Sequence, residues 1–157
     1  MVKVLFVCSG NICRSPTAEG VFRKLAQEAG LEGRMEAQSA GTHGFHAGEG
    51  PDPRTAEAAA RRGYDLAGME SRQVMAEDFQ EFDYLLAMDE SNHHSLAQLC
   101  PEGAEHKVKR FLDFAPEAGT RDVPDPYYGG AGGFDYVIDL AEAGVRGLID
   151  HIQAAHF

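Results

Sequence analysis

Val2-Lys3-Val4-Leu5-Phe6-Val7 is an almost unbroken apolar run rich in β-branched residues, the pattern of a strand buried in a parallel sheet. It stops at Cys8-Ser9-Gly10-Asn11, where a loop is expected. Ala18, Val21, Phe22, Leu25, Ala26 and Ala29 then recur at helical spacing, with Ser15-Pro16 read as N-cap and first helical residue and Gly30 as the stop. The same grammar repeats along the chain. Met35 to Ala40 reads as a short strand, Asp52-Pro53 opens a helix through about Arg62, and Asp83 to Met88 reads as another buried strand. Asp89 is placed to cap a helix running to about Leu99, and Val108 to Leu112 reads as a fourth strand. Phe134, Val137, Ile138, Ala141, Val145, Leu148, Ile149 and Ile152 mark a long final helix. Strands alternating with helices predict an α/β domain whose parallel sheet is covered on both faces. With no internal repeat and no linker, residues 1–157 are expected to form a single domain. The longest irregular stretches, Gly41 to Pro51 and Asp113 to Gly133, are candidates for function.

Composition narrows the function classes. At 157 residues the chain is long enough for one real core. Its 14 Lys and Arg against 25 Asp and Glu give a formal charge of −11, which disfavours nucleic-acid backbones and anionic membrane surfaces as partners. Any anion site must therefore be local. Three cysteines, Cys8, Cys13 and Cys100, argue against a secreted disulfide framework and for reduced thiols in the cytoplasm. The apolar start is too short for a signal peptide, and Ala154-Ala155-His156-Phe157 matches no lipidation signal. His43-Gly44-Phe45-His46 and His93-His94 lack the spacing of zinc sites and read as surface histidines, so no metal or cofactor is expected.

The chemistry concentrates in the first loop. Cys8-Ser9-Gly10-Asn11-Ile12-Cys13-Arg14-Ser15 is a Cys-x5-Arg segment, a weak signal by spacing alone. Its context strengthens it. A loop between the carboxyl end of a strand and the start of a helix turns successive backbone N–H groups into one concavity, where the helix dipole also favours negative charge. A phosphate-sized dianion suits such a nest. Arg14 adds a planar fork matched to two phosphate oxygens, and Cys8 at the centre of the same positive field is expected to be a nucleophilic thiolate. Gly10 and Asn11 are residue types that tolerate the left-handed angles such a loop needs.

Val7-Cys8-Ser9-Gly10-Asn11-Ile12-Cys13-Arg14-Ser15-Pro16 closely resembles the signature of the low-molecular-weight protein tyrosine phosphatases. The likeness continues through Ala18-Glu19, Ser39-Ala40-Gly41-Thr42, Ser71-Arg72-Gln73, Met88-Asp89-Glu90-Ser91-Asn92 and Asp125-Pro126-Tyr127-Tyr128-Gly129. It implies a flavodoxin-like three-layer fold with a four-stranded parallel sheet and the site at the strands' carboxyl ends. Cys8 would be the nucleophile, Arg14 the phosphate clamp and Asp125 the general acid, with Ser9, Gly10, Asn11, Ile12, Cys13 and Ser15 completing the phosphate-binding loop. Ser15 would donate to the Cys8 sulfur, and Asn11 and Ser39 would hold the loop's shape. Tyr127, Tyr128 and Phe45 would wall an aromatic pocket suited to phosphotyrosine, and Cys13 would form a reversible disulfide with Cys8. Phosphotyrosine proteins are the implied partners, with phosphate, vanadate or sulfate as active-site anions, and the chain is expected to be a monomer or a weak dimer.

Two positions depart from the family's pattern. Eukaryotic members carry a histidine three residues before the position of Arg72, where this chain has Met69, so the network behind Asn11 is expected to differ. Ser9 stands where many relatives have a larger apolar residue, which would open one rim of the pocket. Rival readings are testable against the sequence. Arsenate reductases share the loop but relay a disulfide through further cysteines, one at the end of the third strand, where this chain has Met88-Asp89. Protein arginine phosphatases have a threonine at the position of Ile12, and the apolar Ile12 favours tyrosine. A module that binds phosphotyrosine without turning it over would need none of the thiol chemistry.

Overall fold

The computed structural model describes residues 1–128 and 132–157, with Tyr128 described by its backbone only. Four strands, β1 (Val2–Cys8), β2 (Met35–Gly41), β3 (Tyr84–Ala87) and β4 (Val108–Arg110), pair in the order β2-β1-β3-β4, every pair parallel. Around them pack α1 (Arg14–Glu28), α2 (Pro53–Arg61), the single turn α3 (Asp78–Glu81), α4 (Glu90–Leu99) and α5 (Gly132–His156). Alternation along β1 divides the core. Val4 and Phe6 face α1 and α5 in one cluster, while Leu5 and Val7 face Phe79, Phe82 and Leu96 in the other. Phe6 is gripped edge-on by Phe22 and Phe111, with ring centroids 5.9 and 5.4 Å away. This is the flavodoxin-like, three-layer α/β arrangement.

The chain leaves β1 toward β2 on one side and later returns to β3 on the other. The loops that follow β1 and β3 therefore diverge, leaving a crevice at the carboxyl ends of the two central strands. Cys8 ends β1 opposite Gly41 of β2, and Val7 pairs with Ala87 of β3.

Two local expectations are corrected and one element is added. Helix α1 begins at Arg14 with Cys13 at the N-cap, and no side chain caps it. Ser15 and Pro16 instead lie in the first turn, where a missing proline N–H costs nothing because it has no intrahelical partner, and the Ser15 hydroxyl is turned toward Cys8. Strand β4 stops at Arg110 and not at Leu112. Phe111 and Leu112 enter a 3₁₀ turn (Phe111–Phe114) that puts the Phe111 ring beneath α5, where a Cβ on Gly144 would come within 2.4 Å of it. The short helix α3 had no periodic signal; Asp78 builds it by accepting from the Met75 N–H at 2.8 Å and pairing with Arg72.

Candidate active site

The residues between β1 and α1 wrap around the Cys8 sulfur. Asn11 takes a left-handed conformation, φ 59°, which brings its N–H to 3.3 Å from Cys8 Sγ. The Ser15 Oγ lies 3.0 Å from the same sulfur and accepts from Asn11 Nδ2 at 2.8 Å. The Ala40 carbonyl is 3.5 Å away, so the sulfur is the nearer acceptor for the serine proton. Two donors thus converge on Sγ, an arrangement that favours negative charge there.

Asn11 is held in its strained conformation from behind. The Ser71 hydroxyl donates to its carbonyl at 2.6 Å, and the Arg72 N–H donates to Oδ1 at 3.0 Å. These two groups form the network behind Asn11 in a chain with Met69, which packs partly buried against the core. Gly41 lets the end of β2 approach the loop: a Cβ there would sit 2.7 Å from the Ser9 carbonyl oxygen and 2.9 Å from that of His43. Ser39 departs from its expected place, because its hydroxyl donates to buried Glu19 at 2.7 Å and not to the loop. Burial raises the Glu19 carboxyl above its ordinary value, opposed by the Ser39 hydrogen bond and by Arg23.

Arg14 is 3% exposed, and both of its terminal nitrogens have partners. Its Nη1 donates to Asp89 Oδ2 at 2.7 Å and to the Val123 carbonyl at 3.0 Å, and its Nη2 reaches Ser9 Oγ at 3.3 Å and stands 3.9 Å from Asp125 Oδ2. Burial opposes the guanidinium charge, but the Cys8 sulfur, Asp89 and Asp125 outweigh it and hold Arg14 above its ordinary value. Asp89 has two tasks, since its Oδ1 also caps α4 by accepting from the Asn92 N–H at 2.7 Å. Ser9 accepts from Asn92 Nδ2 at 3.1 Å as well as from Arg14, so the small residue at this rim is anchored on both sides.

Cys8 and Arg14 line a cavity of about 340 Å³, together with Ser9, Gly10, Ile12 and Cys13. Asp125 closes one wall with its Oδ1 accepting from the Tyr127 N–H at 3.0 Å, and Phe45 and Tyr127 stand at the mouth, 80% and 38% exposed. The side chain of Tyr128, the third expected aromatic, lies outside the described residues, as does Gly129.

His43 lies exposed at the surface and His46 half-buried, and both also line the pocket. The His43 ring is tilted against that of Phe45 with centroids 5.0 Å apart, and His46 pairs with Glu49 at 3.0 Å while its ring lies against Gly10, 3.1 Å from where a Cβ would be. Their place beside Phe45 in one loop was the available signal. The Cys13 thiol, 4% exposed, is pushed up to about 12 by burial, with the nearby Thr55 hydroxyl opposing. It therefore stays protonated. All three cysteines are free thiols.

A buried arginine and a sulfur under two converging donors, in a strand-to-helix loop faced by a carboxylate, define a phosphate-loop cysteine enzyme. Known proteins place it further. The sequence model of the family described as low molecular weight phosphotyrosine protein phosphatase matches residues 3–156. The low molecular weight protein-tyrosine-phosphatase YfkJ of Bacillus subtilis is 45% identical over 153 residues, 98% of this chain and 97% of that protein. The human low molecular weight phosphotyrosine protein phosphatase is 40% identical over 136 residues, 85% of each chain. Among solved structures, a protein tyrosine phosphatase from Entamoeba histolytica, with Hepes in its active site, superposes over the whole of both chains with a TM-score of 0.96 at 41% identity. The chain belongs to the low molecular weight protein tyrosine phosphatase family. Among the described residues no helix is long and apolar enough to cross a membrane.

Proposed function

We propose that this enzyme hydrolyses phosphotyrosine in proteins, and small aryl phosphates, through a cysteinyl-phosphate intermediate. The observation that carries the reading is the Cys8 sulfur held by the Asn11 N–H and the Ser15 hydroxyl on the floor of a cavity walled by Arg14 and Asp125. In the first step Cys8 Sγ attacks phosphorus in line, the bond from phosphorus to the phenolic oxygen breaks, and Asp125 gives its proton to that oxygen. Arg14 and the loop amides take the charge on the equatorial oxygens. In the second step water attacks phosphorus, Asp125 accepts its proton, and the phosphorus–sulfur bond breaks to return the thiolate. The two donors on Sγ stabilise it both as nucleophile and as leaving group.

The aromatic mouth supports an aryl substrate, and the apolar Ile12 lining the cavity supports tyrosine over arginine. Met88 and Asp89, which directly follow β3, include no thiol for an arsenate reductase's relay. Phosphate, vanadate and sulfate fit as active-site anions, and the pair of thiols in the loop suits a reducing cytoplasm. A monomer or weak dimer would leave the cavity open to a protein substrate.

Iodoacetate at about pH 6 is expected to alkylate Cys8 ahead of Cys13 and Cys100, with phosphate or vanadate protecting it, as mass spectrometry of the adducts will show. Equal labelling of Cys100, or labelling indifferent to phosphate, would remove the anion site. The same loop predicts a redox response. Mild peroxide should inactivate the enzyme reversibly through a Cys8–Cys13 disulfide, because a sulfenic acid on Cys8 has the Cys13 thiol in the same loop to trap it. Cys13→Ser should then recover less activity under thiol than wild type after equal oxidation, and equal recovery would exclude the protective role.

A further inference from the structure

Arg54 lines no wall of the active-site cavity, yet it joins the two segments that the reaction must bring together. Its guanidinium forks onto Asp52, Nε to Oδ1 at 3.1 Å and Nη2 to Oδ2 at 2.9 Å. Asp52 is buried and tied to the phosphate loop, because its own N–H donates to the Ile12 carbonyl at 2.8 Å. On its other edge Nη2 of Arg54 reaches the Tyr127 carbonyl at 3.4 Å. The guanidinium carbon also lies 5.3 Å from the centre of the Tyr127 ring and 4.9 Å from that of Phe134. The Tyr127 N–H in turn donates to Asp125 Oδ1. A continuous path runs from the phosphate loop through Asp52, Arg54 and Tyr127 to the Asp125 carboxyl.

Asp125 has need of such a path. It precedes a single 3₁₀ turn, Pro126–Tyr128, and its side chain is 40% exposed, so neither a strand nor a long helix sets its distance from Cys8. Its nearest cation, Arg14, stands at 3.9 Å, beyond hydrogen-bond reach. A planar group that forks onto one carboxylate while stacking on rings suits this task in a way an ammonium does not.

We propose that Arg54 is a positioning residue for the general acid: it braces Tyr127, and through it Asp125, against the phosphate loop at the distance where the proton reaches the leaving oxygen. The proposal rests on Asp125 being that acid.

The test is stopped-flow release of the phenol in the first turnover from phenyl phosphate and from 2,4-dinitrophenyl phosphate. Arg54→Met and Arg54→Lys are each made in wild type and in Asp125→Ala. Arg54→Met is expected to slow phenol release from phenyl phosphate by about 10- to 100-fold, as a displacement of about 1 Å would, and dinitrophenol release by less than about threefold. Arg54→Lys should behave alike, because it keeps the charge and loses the fork. In the Asp125→Ala background neither change should have any further selective effect. Thermal melting and competitive inhibition by inorganic phosphate establish that fold and cavity persist.

Equal losses with both leaving groups, additivity with Asp125→Ala, or full activity in Arg54→Lys would each overturn the positioning role. Failure of the underlying reading shows separately, as an Asp125→Ala enzyme that slows both leaving groups alike whatever stands at position 54.

Discussion

Cys8→Ser is expected to lower the turnover of phosphotyrosine and of para-nitrophenyl phosphate by at least about 10⁴-fold while inorganic phosphate still binds. The substitution changes one atom. The Asn11 N–H and the Ser15 hydroxyl remain to surround the new oxygen, and Arg14 keeps its bonds to Asp89, Val123 and Ser9, none of which involves position 8. What disappears is the nucleophile, because a serine hydroxyl beside no general base stays protonated where a thiol ionises. Chelator in the assay keeps adventitious metal from supplying a background rate. Kinetics and calorimetric phosphate binding on the same preparation separate chemistry from recognition. Turnover within tenfold of wild type would exclude Cys8 as nucleophile, and would leave the cavity to a module that only binds the phosphate group.

The loop from Cys8 to Ser15 was legible in the sequence because its chemistry is local: a strand end, a helix start and the residues between them lie in one segment. Asp125 was singled out only through family resemblance, since nothing near it in the chain indicates that it will stand 3.9 Å from Arg14. Asp89 shows the same limit more sharply. As a helix cap it could be read from its position before Glu90, and one of its oxygens does cap α4. That its other oxygen orients Arg14 follows from β1 and β3 being neighbours in a parallel sheet, which brings the loops after them together.

Ser39 fails in the opposite direction. It lies in the segment next to the loop, but the strand's alternation turns its hydroxyl to Glu19 on α1. β4 was read two residues too long because Phe111 and Leu112 are apolar in either conformation, and only packing beneath Gly144 selects the turn.

Asp125→Ala is expected to separate substrates by the difficulty of their departure. Phosphotyrosine leaves as a phenolate whose conjugate acid has a pKa of about 10, so a proton delivered in the transition state matters, whereas an activated nitrophenolate leaves almost unaided. The first step on phosphotyrosine should therefore slow by roughly 10²- to 10⁴-fold, and on an activated aryl phosphate far less. Binding should survive, because the anion is held by Arg14 and the loop amides and a carboxylate facing them contributes nothing to its charge. Removing it leaves Arg14 with Asp89 as its hydrogen-bonded carboxylate at 2.7 Å. Asp125→Asn keeps the acceptor for the Tyr127 N–H but cannot supply a proton, so it should fall to the same level as alanine. If the asparagine variant instead kept wild-type rates with poor leaving groups, Asp125 would be there to shape the Tyr127 segment, and another group would protonate the phenolate.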